Sequence, residues 1–313
     1  MYHGRKGKPV ARVSVIIGAY NPGPFLPATV QSVIDQTFTD WELIIVDDGS
    51  PEDIGDVAGM HPAITLIRQE NRGLSIARNV AILRATGEYI AVLDQDDVWL
   101  PTKLERQVAA LDASPEVGLC YTNFEMIDAE GRRIGPGFDG GAETYLELLH
   151  GCCINASSVL LRRSALAASG LFEPFYVGTQ DYDMWLKIAR HFPLRYVPTV
   201  ECLYRQHDRN LSRKYALLFR EVEHLFHHHI ALARASHDTA ALKAATSGLK
   251  RARLVYGSQA FDNCRICVRK RAFGPLMTHV RFAALVAPKV VVQSLIAYGR
   301  AAGRHRRAER TTS

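Results

Sequence analysis

The stretch from Tyr89 to Trp99 joins a short apolar run to three carboxylates, and it constrains the fold more than any other part of the chain. The apolar run has the length of a strand, and a strand this uniformly apolar is typical of a parallel sheet covered by helices on both faces. Asp94, Asp96 and Asp97 follow at its carboxyl end, where open α/β sheets bind their ligands. The stretch therefore predicts a ligand-binding strand within an α/β sheet.

Two of these carboxylates, Asp94 and Asp96, are spaced so that both can face one bound cation at the end of the strand. Carboxylate oxygens suit Mg²⁺ or Mn²⁺, and such ions usually complete their coordination with phosphate oxygens of a substrate. The alternative is a solvated acidic turn before a helix that begins at Pro101, and for an isolated Asp-x-Asp this is the commoner case. The surrounding motifs favour the cation.

Apolar runs and helical periodicities alternate along the first two hundred residues. They predict strands at 12–19, 41–46, 63–68, 89–93, 117–124, 155–161 and 194–204, and helices at 26–34, 75–84, 101–111 and 180–191. Ser75 is the predicted cap of the second helix. Short links between alternating elements predict a doubly wound, mostly parallel sheet flanked by helices in residues 1–212. Residues 213–313 lack strand signals and are predicted to form a helical appendage.

Polar side chains follow several of these strands and therefore should line one crevice. The first strand ends at Tyr20 and Asn21, which offer an aromatic face for a base, and the second ends at Asp47 and Asp48. Asp48 can accept a hydrogen bond from a base N–H. These groups, together with the predicted cation, indicate a nucleoside diphosphate site that has no glycine-rich phosphate loop. The following helix carries Arg78, whose guanidinium can bond to the base or to phosphate, the alternative being a solvated helix arginine.

Four blocks together carry a family resemblance: Ser14–Asn21, Asp47–Ser50, Asn71–Asn79 and Leu93–Asp97. They resemble the signature blocks of family 2 glycosyltransferases, in the same order and at similar spacing, and the resemblance extends over about residues 12–212. It implies a GT-A fold, an NDP-sugar donor, expected to be a UDP-sugar, a divalent metal, and inversion at the anomeric carbon.

The resemblance also implies roles for individual residues. Ala19, Tyr20, Asp48 and Arg78 would contact the nucleoside, together with Asn21 beside them. Gln95 would lie near the ribose and Asp94 near the ribose or the metal, while Asp96 would ligate the metal.

The catalytic base of such enzymes usually lies in a Glu-Asp pair at a helix start, and the matching pair here is Gln180-Asp181. The resemblance therefore implies Asp181 as the base. Gln180 departs from the commoner Glu, which puts in doubt any acceptor contact that needs a charge there. The alternative for Asp181 is a helix N-cap, and Asp183 is the second candidate for the base.

The segment Tyr204–Arg213 resembles the Tyr-Arg-x-His segment that follows the last strand in this family. A histidine at such a place can ligate the metal, which implies His207 as a ligand. Alternatively Arg205, His207 and Arg209 clamp the diphosphate, or His207 is simply a surface residue.

The chain carries a formal net charge of +6 with a pI near 9.0, and arginines crowd its end after Arg300. The segment from Leu276 to Tyr298 is apolar but interrupted by His279, Arg281, Pro288 and Lys289. With the arginines that follow, residues 275–313 fit either a segment lying on an anionic membrane or a helix packed on the protein with a solvated basic tail. Nucleic acid binding fits less well, because no recognition module is evident. With neither a secretory signal nor a spanning segment, a cytoplasmic location is expected, peripheral to the membrane.

The six cysteines are irregularly spaced, which favours a reducing compartment over a disulfide framework, and Cys264 and Cys267 are predicted to pack on a helix.

The predicted function is metal-dependent, inverting transfer of a sugar to a hydroxyl group of a glycan or a lipid-linked acceptor. Two alternatives remain open at this stage. A sugar nucleotidyltransferase would want a cationic glycine-rich loop after the first strand, and Tyr20–Pro24 offers none. A catalytically inactive nucleotide-sugar-binding module would bind the donor without hydrolysing it.

Overall fold

A computed structural model of the chain describes residues 11–137, 141–269 and 273–288. The chain divides into two compact units, the first ending at Asn210 and the second beginning at Leu211. The loss of strand signals along the sequence predicts this boundary at residue 212. The first unit contains every described strand, and the second contains the helices of the predicted appendage.

The strands of the first unit form a single nine-stranded sheet within the described residues. Their bounds are β1 Val13–Ala19, β2 Trp41–Asp47, β3 Ile64–Arg68, β4 Tyr89–Val92, β5 Val98–Trp99, β6 Leu119–Ile127, β7 Arg133–Pro136, β8 Val159–Arg162 and β9 Leu194–Arg205. The order across the sheet is β3-β2-β1-β4-β8-β6-β9-β5, with β7 paired to β6 outside this path.

The sheet is parallel in its first half and mixed in its second. β1 pairs in parallel with both β2 and β4, and β2 pairs in parallel with β3. β8 then runs antiparallel to β4 and β6, while β6 and β9 are parallel. The predicted α/β fold is confirmed: the strands from β3 to β4 and the pair β6–β9 are parallel, whereas β8, β5 and β7 pair antiparallel with their neighbours. For β8 the reason is that the strand follows a long excursion of the chain and enters the sheet in the reverse direction.

Six α-helices lie in this unit within the described residues, and four of them correspond to the predicted helices, whereas the fourth and fifth in chain order were not predicted. Their bounds are α1 Leu26–Ile34, α2 Leu74–Arg84, α3 Lys103–Asp112, α4 Tyr145–Leu148, α5 Arg163–Ser169 and α6 Gln180–Ala189. All seven residues of β1 and all four of β4 are buried, as expected of strands with helices on both faces. At Gly18 a Cβ atom would lie 2.7 Å from Leu74 Cδ1, so glycine allows α2 to pack closely on β1.

Two local predictions in this unit are wrong. Ser75 does not cap α2: the N-cap position is Gly73, and the Ser75 hydroxyl donates to the carbonyl of Tyr176 instead. The strand predicted from residue 155 begins only at Val159. Its first part is a 3₁₀ turn, Ala156–Ser158, because the Asn155 side chain accepts from the Ser157 amide at 2.8 Å and caps the turn.

The second unit contains three described helices, α7 Tyr215–Ala235, α8 Thr239–Arg269 and α9 Phe273–Val286. Tyr215, Ala260 and Ala283 form the centre of an apolar cluster that joins them. Cys264 and Cys267 are buried on α8 as free thiols, which confirms their packing role. Among the described helices, none is both long enough and apolar enough to cross a bilayer. Of the segment 275–313, only residues up to 288 lie within the described ranges.

Candidate active site

The carboxyl ends of β1, β2 and β4 lie side by side, because parallel strands present the same end to one edge of a sheet. Asp48 N donates to the carbonyl of Ala19 at 2.7 Å, and Leu93 N donates to the carbonyl of Ile16 at 3.1 Å. The segments that follow β2 and β4 are thus each hydrogen bonded to β1 where they leave the sheet. This arrangement brings the residues after Ala19, Asp47 and Leu93 to one rim.

Tyr20 presents an exposed ring on a fixed backbone. Its ring is half exposed, while its amide donates to Gln95 Oε1 at 2.8 Å and its carbonyl accepts from Gln95 Nε2 at 3.3 Å. Asn21 follows in the left-handed region at φ 46°, which asparagine tolerates better than most residues, and its amide donates to Ser50 Oγ. The side chain of Gln95 therefore holds the end of β1 against the loop Asp94–Asp97, which we call the carboxylate loop.

Asp48 is buried and organises the turn before α2. Its two oxygens accept from Gln69 Nε2 at 2.7 Å, from the Arg72 amide at 2.8 Å and from the Gly73 amide at 2.8 Å. Gly49, at φ 79°, lies so close to this turn that a Cβ atom would be 2.9 Å from Asn71 N. Three of the roughly four acceptor positions of the carboxylate are therefore used within the protein.

Arg78 is almost completely buried and forms an ion pair with Asp94 through Nη2. The alternative of a solvated helix arginine is therefore wrong. The guanidinium also lies over the ring of Phe172, with its carbon 5.3 Å from the ring centroid. Within the described part of the chain, Arg78 Nε and Nη1 have no hydrogen-bond acceptor. Buried donors of this kind need an explanation, and a bound ligand or water is one.

Asp96 and His207 form the second charged pair of the rim, with His207 Nε2 2.7 Å from Asp96 Oδ2. Both side chains are largely buried, and the imidazole stacks on Phe25 at a centroid distance of 4.9 Å. Burial raises the pKa of Asp96, and the charge of Asp94 raises it further, whereas the bond to His207 opposes both. The anionic form of Asp96 is thus costly here without a positive partner.

Arg205 is buried and its described hydrogen bonds go to backbone carbonyls. Nε donates to the Asp96 carbonyl at 2.8 Å, and Nη1 donates to the carbonyls of Asp128 and Ala129. The ring of Phe25 lies 4.9 Å from the guanidinium carbon. The side chain therefore fixes the loop around Asp96, and its contact with a diphosphate stays a prediction.

Asp181 lies in the first turn of α6 as a half-buried carboxylate. The N-cap of this helix is Thr179, without a side-chain capping bond, so the N-cap alternative for Asp181 is wrong. Asp181 Oδ1 accepts from the amide of Tyr182 at 2.8 Å. Burial raises the pKa of Asp181 to about 6, with Arg78 opposing the shift and Asp94 adding to it. Asp94 therefore acts electrostatically on both Asp96 and Asp181, which relates all three carboxylates to one crevice.

Asp183, the second candidate for a base, is buried and its Oδ2 lies 3.2 Å from Lys187 Nζ. A carboxylate held by a neighbouring ammonium group is a weaker base than a half-buried one with a raised pKa. The geometry therefore favours Asp181 over Asp183.

Three residues of this region had no signal in the sequence: Phe25, Cys152 and Ser157. Phe25 stacks on His207 and also contacts the Arg205 guanidinium, and the Ser157 hydroxyl donates to Asp97. The charge of Asp181 contributes, after burial, to a pKa of Cys152 well above its usual value, so this thiol lies near the predicted base. Nothing in spacing or periodicity distinguishes these residues from ordinary core positions.

Within the described ranges, no three side chains of histidine, cysteine, aspartate or glutamate are grouped as a metal site. The structure brings together two of the three predicted ligands, Asp96 and His207, while Asp94 is paired with Arg78.

The mixed α/β sheet with its flanking helices has the GT-A fold, which solved glycosyltransferase structures share. The family model described as Glycosyl transferase family 2 matches residues 14–168. A β-1,3-glucosyltransferase of Escherichia coli, WfaP, named for UDP-Glc and α-D-GlcNAc-diphosphoundecaprenol, is 33% identical over 214 residues, which cover 67% of this chain and 83% of the relative. The chain belongs to glycosyltransferase family 2, and the resemblance seen in its sequence is confirmed.

A second E. coli enzyme named for the same reaction, WfgD, is 33% identical over 187 residues, covering 57% of this chain and 70% of the relative. Among solved structures, a mannosyltransferase from Pyrobaculum calidifontis in complex with GDP-Man and Mn²⁺ is 21% identical with a TM-score of 0.55, and the match covers 88% of this chain and 86% of that one. Family membership makes this chain a glycosyltransferase, in preference to a nucleotidyltransferase.

Proposed function

We propose that this glycosyltransferase transfers a sugar from a UDP-sugar to a hydroxyl group of a lipid-linked glycan, with inversion and with a divalent metal. Support for the donor and the acceptor comes from the two E. coli relatives, whose names specify UDP-Glc and a diphosphoundecaprenol-linked sugar. Support for the chemistry comes from one observation above all: a half-buried Asp181 with a raised pKa lies within electrostatic range of the Arg78–Asp94 pair.

The donor set at Asp96 and His207 fits a divalent cation. A carboxylate and an imidazole nitrogen 2.7 Å apart would supply two ligands for Mn²⁺ or Mg²⁺, and the remaining positions would go to diphosphate oxygens and water. The raised pKa of Asp96 indicates a site that favours added positive charge. When bound, the metal would neutralise charge on the departing nucleoside diphosphate. A dependence of transfer on Mn²⁺ that is abolished by a chelator is the direct test.

The nucleoside end of the donor would bind along the β1 and β2 rim. The exposed ring of Tyr20, which follows the buried Ala19, would stack on the base, with Asn21 beside it. Asp48 retains acceptor capacity on the same rim. The unsatisfied nitrogens of Arg78 would donate to donor oxygens, and Gln95 would lie at the ribose.

Asp181 would act as the general base. As the acceptor oxygen attacks the anomeric carbon, Asp181 takes the hydroxyl proton, a carbon–oxygen bond forms, and the bond from the anomeric carbon to the diphosphate oxygen breaks on the opposite face. A base with a pKa near 6 is mostly ionised at neutral pH and still basic enough to accept a proton in the transition state.

The decisive experiment compares Asp181→Asn with Asp183→Asn, which changes a neighbouring carboxylate in the same helical turn. Loss of general-base catalysis costs about 10²–10⁴-fold in turnover. We expect this loss for Asp181→Asn with donor affinity kept within a few fold, and much smaller changes in turnover for Asp183→Asn. Transfer by Asp181→Asn at the wild-type rate would remove Asp181 from this role. If the wild-type chain hydrolyses the donor but transfers no sugar to the lipid-linked acceptor, the protein is an enzyme and the proposed acceptor is wrong.

A lipid-linked acceptor lies in a membrane, so the enzyme must bind at the membrane surface. We propose that the region 275–313 makes this contact. In its described part, α9 exposes Met277, Val280 and Leu285, with the cationic Arg281 among them. Exposed apolar side chains with interspersed arginine favour an anionic membrane surface. In a pelleting assay with anionic vesicles, Leu285→Asp should reduce the bound fraction, and Leu83→Asp, at an exposed leucine of the first unit, should not. Equal pelleting of both variants and of the wild type would reject this surface.

A further inference from the structure

Ser157 connects the carboxylate loop to a segment sixty residues away. Its hydroxyl donates to Asp97 Oδ2 at 2.5 Å and accepts from the Asp94 amide at 3.0 Å. The side chain is fully buried in the 3₁₀ turn Ala156–Ser158. One hydroxyl group therefore bonds both ends of the loop that carries Asp96.

The partner of Ser157, Asp97, is itself fully buried and holds a second segment. Its Oδ2 accepts from Ser157, and its Oδ1 accepts from the amide of Arg205 at 2.9 Å. Arg205 is the last residue of β9, two positions before His207. The Asp97 carboxylate thus joins the loop that carries Asp96 to the strand end that leads to His207.

We propose that Ser157 is a positioning residue that sets the geometry between Asp96 and His207 through Asp97, an inference that rests on the metal site of the proposed function. Asp96 and His207 come from elements 111 residues apart, and their side chains meet at 2.7 Å. The described links between their two backbones run through the Asp97 carboxylate and the Arg205 side chain. Ser157 fixes the Asp97 carboxylate from its other side.

The Ser157 hydroxyl satisfies two polar groups of the carboxylate loop, the Asp97 carboxylate and the Asp94 amide. Without it, the buried Asp97 Oδ2 loses its donor, and a buried carboxylate that loses a hydrogen bond must shift or find another partner. The Asp94 amide loses its acceptor at the same time. Groups that orient metal ligands typically contribute about 10–100-fold to metal affinity.

The chain supplies a matched control in the next residue. Ser158 is also fully buried in the same turn, and its hydroxyl donates to the Asn155 carbonyl at 2.8 Å, away from the carboxylate loop. Ser157→Ala removes only the hydroxyl. The Ser157 backbone keeps its bonds to Asn155 Oδ1 and to Trp99 Nε1, so the turn itself is retained.

The test is Mn²⁺ binding to the full chain in the presence of UDP, measured by calorimetry and by the electron paramagnetic resonance signal of free Mn²⁺. We expect Ser157→Ala to weaken Mn²⁺ binding about 10–100-fold, and Ser158→Ala to change it by less than about threefold. Thermal unfolding of both variants would report the structural cost of losing the hydroxyl. This cost should be larger for Ser157→Ala, which removes two hydrogen bonds, one of them to a carboxylate, than for Ser158→Ala, which removes one bond to a carbonyl that keeps the Ser158 amide as a donor.

Two further variants separate the outcomes. Ser157→Cys keeps the shape of the side chain with a slightly larger atom in place of the hydroxyl oxygen, and its thiol is a weak donor. It should therefore also weaken Mn²⁺ binding, and it replaces Ser157→Ala as the test if that variant does not fold. Asp96→Ala tests the metal site itself. Unchanged Mn²⁺ binding by Asp96→Ala would overturn the proposed metal site, whereas loss in Asp96→Ala with wild-type binding in the folded Ser157 variant would overturn only the positioning role. Equal losses in Ser157→Ala and Ser158→Ala would also overturn it.

Discussion

The pH dependence of transfer offers the sharpest check on the proposed base. Burial raises the pKa of Asp181 from 3.8 to about 6. A carboxyl with a pKa of 6 is about 90% ionised at pH 7 and about 10% ionised at pH 5, whereas one with a pKa of 3.8 is still more than about 90% ionised at pH 5. If Asp181 must be ionised to accept the proton, the rate should fall about tenfold between pH 7 and pH 5.

The measurement is a single-turnover rate of sugar transfer at saturating UDP-sugar and Mn²⁺, because product release then does not mask the chemical step. Thermal unfolding at each pH confirms that the enzyme stays folded. Asp183→Asn should reproduce the acidic limb with its midpoint near pH 6, since Asp183 is held by Lys187 and is not proposed to exchange the proton. Asp181→Asn should be slow and nearly independent of pH over this range.

A wild-type rate that stays constant from pH 7 to pH 5 would refute this reasoning. It would mean either that the ionisation of Asp181 lies near that of an ordinary aspartate or that another group takes the proton. An acidic limb that persists unchanged in Asp181→Asn would show that the titrating group is a different residue.

The remaining predictions concern stability, the metal and packing. A folded-state pKa raised above 3.8 penalises the folded protein once Asp181 ionises, so Asp181→Asn should increase the free energy of unfolding by about 2–3 kcal/mol at pH 8. The gain should shrink as the pH falls from about 6 to 4, as chemical denaturation would reveal. Asp96→Ala should abolish the Mn²⁺-dependent part of UDP affinity in calorimetry, leaving only metal-independent binding. Gly87→Ala should lower the unfolding free energy by about 1–3 kcal/mol in denaturant titrations, because its Cβ would lie 2.6 Å from Ser14 N.

The strands of the parallel half were predictable because buried strands have uninterrupted apolar sequences. β1 and β4 are buried along their whole length, and their bounds agree with the predicted ranges within about one residue. The strand predicted at 155–161 was wrong in its first four residues, where no apolar run exists. Their small and polar composition is compatible with a strand end, and only the Asn155 side chain, bonded to the Ser157 amide, turns the backbone into a 3₁₀ turn.

The hydrogen-bond and ion-pair partners of individual side chains were harder to predict from the sequence than the strands. Sequence spacing predicted that Asp48 and Arg78 belong to one crevice, but it did not reveal that Asp48 holds the turn at Gly73 or that Arg78 is buried against Asp94. Such contacts depend on side-chain directions across the rim of the sheet. A pattern along one chain segment contains no information about the acceptor that another segment brings to it.

The loop Asp94–Asp97 illustrates the same limit within a single motif. Asp94 pairs with Arg78, Asp96 pairs with His207, and Asp97 is buried between Ser157 and the Arg205 amide. Three carboxylates within four positions therefore have three different electrostatic environments. Asp94 would have to leave its arginine to ligate a metal, and Asp97 would have to leave a buried position in which both of its oxygens are bonded. Asp96 is the carboxylate that could exchange its partner for a cation without unfolding the loop, which is why the proposed metal site rests on it.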